Sequence, residues 1–307
     1  MKISMIGAGA MGSLFGGRLS LAGHTVVLYD VFREHVEKIR RDGLAIEDAA
    51  TGEVAVSRPA ASTDPEAVRG SDVLVIFVKS TATEQAAAQF APLASKETIV
   101  LTLQNGLGNE AILQRHFGPA RTAAGVTSQG ATFLGPGLIR HAGKGPTHIA
   151  MADGRSERLR DLAAALSGAG FETHVEKDVK GLVWSKLVIN VGINALTALT
   201  ARTNGRLLES QEIKEIMADL VAEAVTVAKA RSIRFTYDDP LATVYDVAAK
   251  TGANRSSMLQ DFDKGRQTEI DFMNGAIVRE AEELGIAAPV NRTVTRLIKV
   301  LERERTV

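Results

Sequence analysis

The opening βαβ pattern constrains this chain more than anything that follows it. Lys2 to Ile6 reads as a short buried strand, and Gly7, Gly9 and Gly12 follow at once in the spacing Gly-x-Gly-x-x-Gly. A helical pattern carrying Leu14, Phe15, Leu19 and Leu21 runs to Gly23. A second strand, Thr25 to Tyr29, then closes with Asp30. Strand, glycine triplet, helix, strand and terminal acid within about thirty residues is the order and length of a dinucleotide-binding unit. Gly7 permits the tight turn, Gly9 lets the backbone approach a pyrophosphate, and Gly12 lets helix and strand pack closely. The loop Gly7, Ala8, Gly9, Ala10, Met11 and Gly12 is therefore the candidate phosphate cradle. It sits at a helix N-terminus, where N–H groups and the helix dipole favour anions. The competing reading is a glycine-rich turn in some other α/β domain.

The alternation continues beyond this unit. Val73 to Val78 is an apolar run suited to a parallel strand covered on both faces. Thr98 to Leu103 is another, followed by Gln104-Asn105-Gly106. Arg121 to Val126, Leu138 to His141 and Thr147 to Met151 read as strands, and Thr83 to Phe90 and Glu110 to His116 as helices. This alternation predicts a doubly wound, mainly parallel sheet. Phe133 to Gly145, rich in glycine and proline, is expected to turn an antiparallel pair at that sheet's edge. A helix from Glu157 to Ser167 and a strand near Phe171 to Val175 complete an α/β domain over residues 1–177.

From Asp178 the texture is helical, which predicts an all-α domain over residues 178–307. Gly181 to Thr200 is apolar nearly all round, as a buried helix is. Lys186, Asn190 and Asn194 interrupt it four residues apart, on one face. A buried lysine and two buried amides are costly unless they are paired or face a cavity. Both readings stay open: a functional face, or a polar seam satisfied by neighbouring backbone. Ser210 reads as an N-cap, followed by an apolar helical stripe from Ile213 to Ala228. Ser256 to Asp263 and Glu269 to Leu284 read as two helical segments, and a closing amphipathic helix starts around Asn291.

Composition removes whole classes of function. At roughly 100–200 residues per domain, 307 residues imply two domains. Lys plus Arg and Asp plus Glu each total 36, and no long single-sign run occurs, so neither a nucleic-acid nor a membrane-surface partner is expected. Cysteine is absent, which excludes disulfides, thiolate metal sites and a cysteine nucleophile. The six histidines, His24, His141 and His148 among them, fall in predicted turns, edge strands or surface helices, and are read as surface residues. No metal constellation is apparent. No leader pattern precedes the first strand, and the expectation is a soluble, cytoplasmic protein.

Several separated motifs then coincide. They are Ile-Gly-Ala-Gly-Ala-Met-Gly at the N-terminus, Val78-Lys79-Ser80 and Gln104-Asn105-Gly106 in the first domain. Trp184 to Ala198, Asn204-Gly205 and the long stretch from Ser256 to Gly275 follow in the second. Together they resemble the ketopantoate reductase (2-dehydropantoate 2-reductase) family. The resemblance implies a Rossmann domain and a helical domain with the active site in the cleft between. It implies NADPH-dependent reduction of the 2-oxo group of ketopantoate to (R)-pantoate, for pantothenate and coenzyme A synthesis. By the same resemblance Lys186 matches the catalytic lysine. Asn190, Asn194 and Asn204 match substrate-binding asparagines, and Ser257 a substrate-binding serine. Asn105 matches the asparagine at nicotinamide and substrate. Lys79 and Ala131 match cofactor contacts, and Glu269 matches the motif glutamate beside cofactor and lysine.

The chemistry fits the resemblance. Hydride addition to a ketone develops alkoxide charge and needs a proton donor, which a lysine supplies; the redox chemistry falls to the cofactor. Asp30 departs from the family pattern. A carboxylate at the end of the second strand hydrogen-bonds the ribose hydroxyls of NAD and repels a 2′-phosphate, so NADH is favoured. Arg33 is within reach of such a phosphate, and Asp30 could also be a plain helix cap. The partner is thus a small 2-oxo acid. An NADH-dependent reductase of another branched 2-oxo or hydroxy acid, and a non-catalytic dinucleotide sensor, are the alternatives; a helical domain of this size is compatible with a homodimer.

Overall fold

The structure, a computed structural model, describes residues 1–305. The chain divides into two compact units. The first comprises Met1–Gln104 and Asn109–Val179, and the second Asn105–Gly108 together with the chain from Lys180 onward. A single boundary at residue 177 does not express this, because four residues from the middle of the first unit group with the second.

In the first unit, β1 (Lys2–Ile6), α1 (Ala10–Leu21) and β2 (Thr25–Tyr29) form the opening βαβ unit. Next come α2 (Arg33–Asp42), β3 (Leu44–Asp48), β4 (Val54–Ser57), β5 (Ala60–Ser62) and β6 (Val73–Ile76). The unit continues with α3 (Thr83–Phe90), β7 (Ile99–Thr102), α4 (Asn109–Phe117) and β8 (Thr122–Thr127). It ends with β9 (Gly130–Gly135), β10 (Leu138–Gly143), β11 (Thr147–Met151), α5 (Arg160–Gly168) and β12 (Thr173–Val175).

Eight of these strands form one sheet in the order β12-β11-β8-β7-β6-β1-β2-β5. Its pairs are parallel except β11 against β8. The reversal of winding at β1, with β6 on one side and β2 on the other, is the switch point at which such sheets bind ligands. Helices cover both faces. On one, Leu14, Phe15 and Leu19 of α1 pack with Leu162 and Leu166 of α5, and the Phe15 and Phe171 rings stack with centroids 4.2 Å apart. On the other, Phe90, Leu113 and Phe117 from α3 and α4 cover Ile6, Leu74 and Val100. Each such side chain contributes roughly 1.5–3 kcal/mol by leaving water.

The antiparallel turn over Phe133–Gly145 lies elsewhere than expected. β9 and β10 pair as an antiparallel hairpin, but in a separate four-stranded sheet ordered β4-β3-β10-β9. β3 and β10 run parallel in it, and β3 and β4 antiparallel. Ile139 and Ile46 from this small sheet join the core beneath α1.

In the second unit α6 (Lys180–Thr200) runs through the core, followed by α7 (Gln211–Ala230), α8 (Pro240–Lys250) and α9 (Ser257–Asp263). α10 (Asn274–Leu284) and α11 (Pro289–Arg305) complete it. Among the described residues α6 is the one helix long and apolar enough to cross a membrane, and it is mostly buried within its unit, as a core helix is. Trp184, Leu187, Val188, Val191 and Leu196 of α6 pack against Leu220, Val221, Val244 and Ile277. Ser210 caps α7 by accepting the Ile213 N–H. The stretch from Glu269 is not one helix. Glu269 precedes a short 3-10 turn, Ile270–Phe272, and Met273 (φ −114°, ψ −102°) breaks the backbone before α10 begins.

Candidate active site

The glycine loop holds its shape through space that side chains would fill. Gly7 has φ +98°, and a Cβ there would stand 2.6 Å from the Val78 nitrogen. A Cβ on Gly12 would stand 1.9 Å from the Gly7 carbonyl oxygen, so α1 could not seat on β1. Gly9 is exposed, and a Cβ there would meet nothing within 4 Å. No side chain caps α1 at Gly9, and no acid lies in its first turn. These features fit the pyrophosphate of a dinucleotide, held by the first-turn N–H groups of α1.

Asp30 is half-buried at the end of β2. Its Oδ2 accepts the Ala8 N–H at 2.7 Å and its Oδ1 accepts the Phe32 N–H at 2.9 Å. The carboxylate therefore does two things. It ties the entry to α2, which has no side-chain cap of its own, and it stands against the glycine loop. Arg33 is exposed on the first turn of α2.

Lys79 is exposed and follows directly on Val78 and precedes Ser80. Both neighbours are clamped. Gln104 Nε2 donates to the Val78 carbonyl at 2.6 Å, and Asn109 Nδ2 donates to Ser80 Oγ at 3.0 Å. Thr83 links the two clamps, receiving from Gln104 and donating to Asn109. Gln104 and Asn109 went unassigned in the sequence because their partners lie more than twenty residues away. The one available signal was that Gln104 belongs to a motif whose neighbour Asn105 had a role. Ala131, partly buried on β9, pairs in register with His141 and packs against the core that holds α1.

Two histidines depart from the surface reading. His35 is 1% and His141 5% exposed. α2 is charged along most of its length, which disguised the stripe of His35, Val36 and Ile39 on its buried face. His141 lies on β10, an inner strand of the small sheet, and hydrogen-bonds Gln129 Oε1 through Nε2 at 2.7 Å.

The second unit gathers the other residues around α6. Lys186 and Asn190 are half-buried on this helix, and Asn194 is buried, its Nδ2 3.5 Å from the Met273 sulfur. Burial pulls the Lys186 ammonium down to about 8, with the buried Glu269 carboxylate opposing the shift. Ser256 caps α9, accepting the Leu259 N–H. The Ser256 hydroxyl lies 2.6 Å from that of Thr197, which itself donates to the Asn194 carbonyl at 2.7 Å. The start of α9, and with it half-buried Ser257, is thus fixed against the Asn194 turn of α6.

Asn105 enters this unit with its segment. The Leu107 N–H donates to the Phe272 carbonyl at 2.8 Å, joining the segment to the turn that carries Glu269. Gly106 has φ +88°, and a Cβ on it would fall 2.3 Å from the Phe272 oxygen. Asn204 lies beyond the end of α6. Its Nδ2 donates to Thr251 Oγ1 at 2.8 Å, while its buried Oδ1 has no protein partner. No group of three or more His, Asp or Glu side chains suited to a metal ion occurs among the described residues.

The chain is similar to known proteins over nearly its whole length. Residues 3–154 match the family described as "Ketopantoate reductase PanE/ApbA", and residues 178–302 match its C-terminal counterpart. A 2-dehydropantoate 2-reductase of Halobacterium salinarum is 38% identical over 305 residues, covering 99% of this chain and 100% of the relative. The crystal structure of a PanE/ApbA family ketopantoate reductase from Ralstonia eutropha has a TM-score of 0.93 at 34% identity, with both chains covered fully. The ternary structure of D-mandelate dehydrogenase with NADH and anilino(oxo)acetate has a TM-score of 0.91 at 29% identity, again over the whole of both chains. The similarity runs the length of the chain, through both units, and the chain belongs to the ketopantoate reductase family of NAD(P)H-dependent oxidoreductases.

Proposed function

We propose that the protein reduces the 2-oxo group of a small branched 2-oxo acid, ketopantoate foremost, to the 2-hydroxy acid, with Lys186 as the proton donor. The observation that carries this is the Lys186 ammonium, half-buried on α6 and brought to about 8 beside the buried Glu269. At neutral pH it is charged, so it attracts a carbonyl oxygen; with its affinity for the proton weakened by burial, it releases that proton readily to an alkoxide. Glu269 holds the ammonium and moderates the fall in its proton affinity. The reduced nicotinamide supplies the hydride when bound. Asn190 and Asn194, one and two turns along from Lys186, offer amide donors and acceptors to the acid's hydroxyl and carboxylate. Asn204 and Ser257 belong to the same proposed set. Gly7 to Gly12, Lys79, Ala131 and Asn105 bind the cofactor, and Asp30 favours NADH.

A second reading keeps the mechanism and changes the acid. Asp30 against the glycine loop suits an unphosphorylated ribose, and D-mandelate dehydrogenase, whose structure was determined with NADH and anilino(oxo)acetate, is a close structural neighbour. On this reading the substrate is another 2-oxo acid branched or substituted at C3.

Spectrophotometric assay of the purified protein separates the two, with ketopantoate and a panel of 2-oxo acids, each with NADH and with NADPH. Highest kcat/KM with ketopantoate supports the first reading, and highest with another branched acid the second. No turnover of any 2-oxo acid rejects both. Lys186→Ala is expected to lower kcat at least about a hundredfold, the low end for general acid catalysis, while still binding cofactor. Near-normal turnover in that variant rules out the lysine mechanism.

A further inference from the structure

His35 belongs neither to the cofactor loop nor to the catalytic set, yet it is almost wholly buried and each of its ring nitrogens has a partner. The Gly137 N–H, in the turn between β9 and β10, points at Nδ1 from 2.9 Å. Nε2 lies 3.1 Å from Ser13 Oγ, and that hydroxyl donates to the Ala8 carbonyl at 2.7 Å. The two ends of this chain are backbone groups whose roles cannot change: an N–H donates and a C=O accepts. Every proton between them is therefore assigned. Nδ1 is bare, Nε2 carries the hydrogen, Ser13 accepts it and passes its own proton bond to Ala8. Burial lowers the affinity of His35 for a second proton, with Asp30 and the Ala8 backbone opposing, which favours the neutral ring.

The anchored end matters for the loop. In a trans peptide the C=O and the following N–H point in opposite directions. A carbonyl of Ala8 drawn inward to Ser13 turns the Gly9 N–H outward, onto the exposed side of the loop. The preceding peptide is fixed as well, because the Ala8 N–H is bound by Asp30 at 2.7 Å. Both peptides flanking Ala8 are thus held before any ligand arrives.

We propose that Ser13 and His35 are positioning residues for cofactor binding: the relay from Gly137 through His35 and Ser13 to Ala8 presets the glycine loop for the dinucleotide pyrophosphate. The proposal rests on the cofactor lying on this loop. The relay also gives the small sheet a task, since the turn between β9 and β10 supplies its first donor.

Direct titration of nicotinamide fluorescence tests it, with NADH and NADPH added to wild type, Ser13→Ala and His35→Asn. Asparagine keeps an acceptor for Gly137 near the Nδ1 position but is too short to reach Ser13. Both variants are expected to raise the cofactor Kd about tenfold or more, the effect of losing a buried hydrogen bond. kcat at saturating cofactor and KM for the oxo acid stay within about twofold of wild type, and the double variant is no worse than Ser13→Ala alone, as expected of residues acting in series. A lowered melting temperature with unchanged Kd overturns the proposal and leaves the relay a packing feature. Additive losses overturn the coupling between the two residues. If one variant does not fold, the other decides. Wild type that binds neither cofactor refutes the placement on the loop, a failure distinct from that of the relay.

Discussion

At the scale of single residues, charge placed in a low-dielectric setting governs the expected behaviour. Lys186 is held to about 8 by burial, against Glu269. Only the protonated amine donates, so kcat/KM is expected to fall as pH rises through about 8. Glu269→Gln removes the charge that sustains the ammonium, so the alkaline limb moves to lower pH; a limb that stays in place argues against this pair. The stability effect has the opposite sign. Between about 8 and the ordinary lysine value of 10.5 the unfolded chain binds more protons at this site, so the fold gains stability as pH rises through that window. Asp30 sets the second expectation. A carboxylate about 4 Å from a 2′-phosphate meets a repulsion of ~4 kcal/mol at an effective dielectric near 20. Solvent and Arg33 reduce it, leaving a preference for NADH of roughly ten- to a hundredfold, about 1.4–2.8 kcal/mol. Asp30→Asn is expected to narrow the ratio of kcat/KM with NADH to that with NADPH. If wild type prefers NADPH, Asp30 serves the loop and Arg33 or Lys79 holds the phosphate.

At the scale of elements, legibility followed the kind of signal each segment carries. β1 and β2 were readable to the residue, and α1 to within two residues of its end, because apolar runs, glycines and a terminal acid are local. β3 and β4 were missed: they are short, Val54 and Val56 are exposed, and what stabilises them is pairing with each other and with the distant β10. α8 was not legible from its weak apolar pattern, although Asp239 caps it through the Ala242 N–H and Pro240 opens it, a start signal that the sequence carries. The break at Met273 was illegible, since nothing in the local sequence interrupts the helical pattern. Elements here are also joined by acids acting at a distance. Glu223 of α7 accepts the Val290 and Asn291 N–H groups at 2.8 and 2.9 Å and the Asn291 side-chain amide at 2.8 Å, closing the N-terminus of α11. Asn291 in turn accepts from Asn274, which also donates to the Val191 carbonyl of α6. Glu223→Ala is expected to cost about 2–3 kcal/mol of unfolding free energy, the loss of charge-assisted hydrogen bonds that leaves orphaned donors, measured by denaturant titration. A loss below half a kcal/mol would mean that solvent replaces the carboxylate.

At the scale of the whole molecule, the passage of Asn105–Gly108 into the second unit is the feature with the widest reach. Gly106→Ala puts a side chain at φ +88° and 2.3 Å from a backbone oxygen that cannot rotate away. The expected result is a loss of about 2 kcal/mol or more in stability, read as a lowered melting temperature, with kcat falling because Asn105 is displaced. Unchanged melting and turnover would show that the segment lifts off Phe272 freely. The sequence displays the motif Gln104-Asn105-Gly106 as one run, but the polypeptide assigns its first residue to one body and the next two to the other. This has a consequence for anyone wishing to exchange or express the halves as modules. A gene fragment beginning at Lys180 encodes six helices without the strip that satisfies the Phe272 carbonyl and lends Leu107 to their core. A fragment ending at Val179 carries that strip with nothing to dock on. Chimeras between relatives would therefore need two crossovers, one on each side of 105–108, for every crossover at 179.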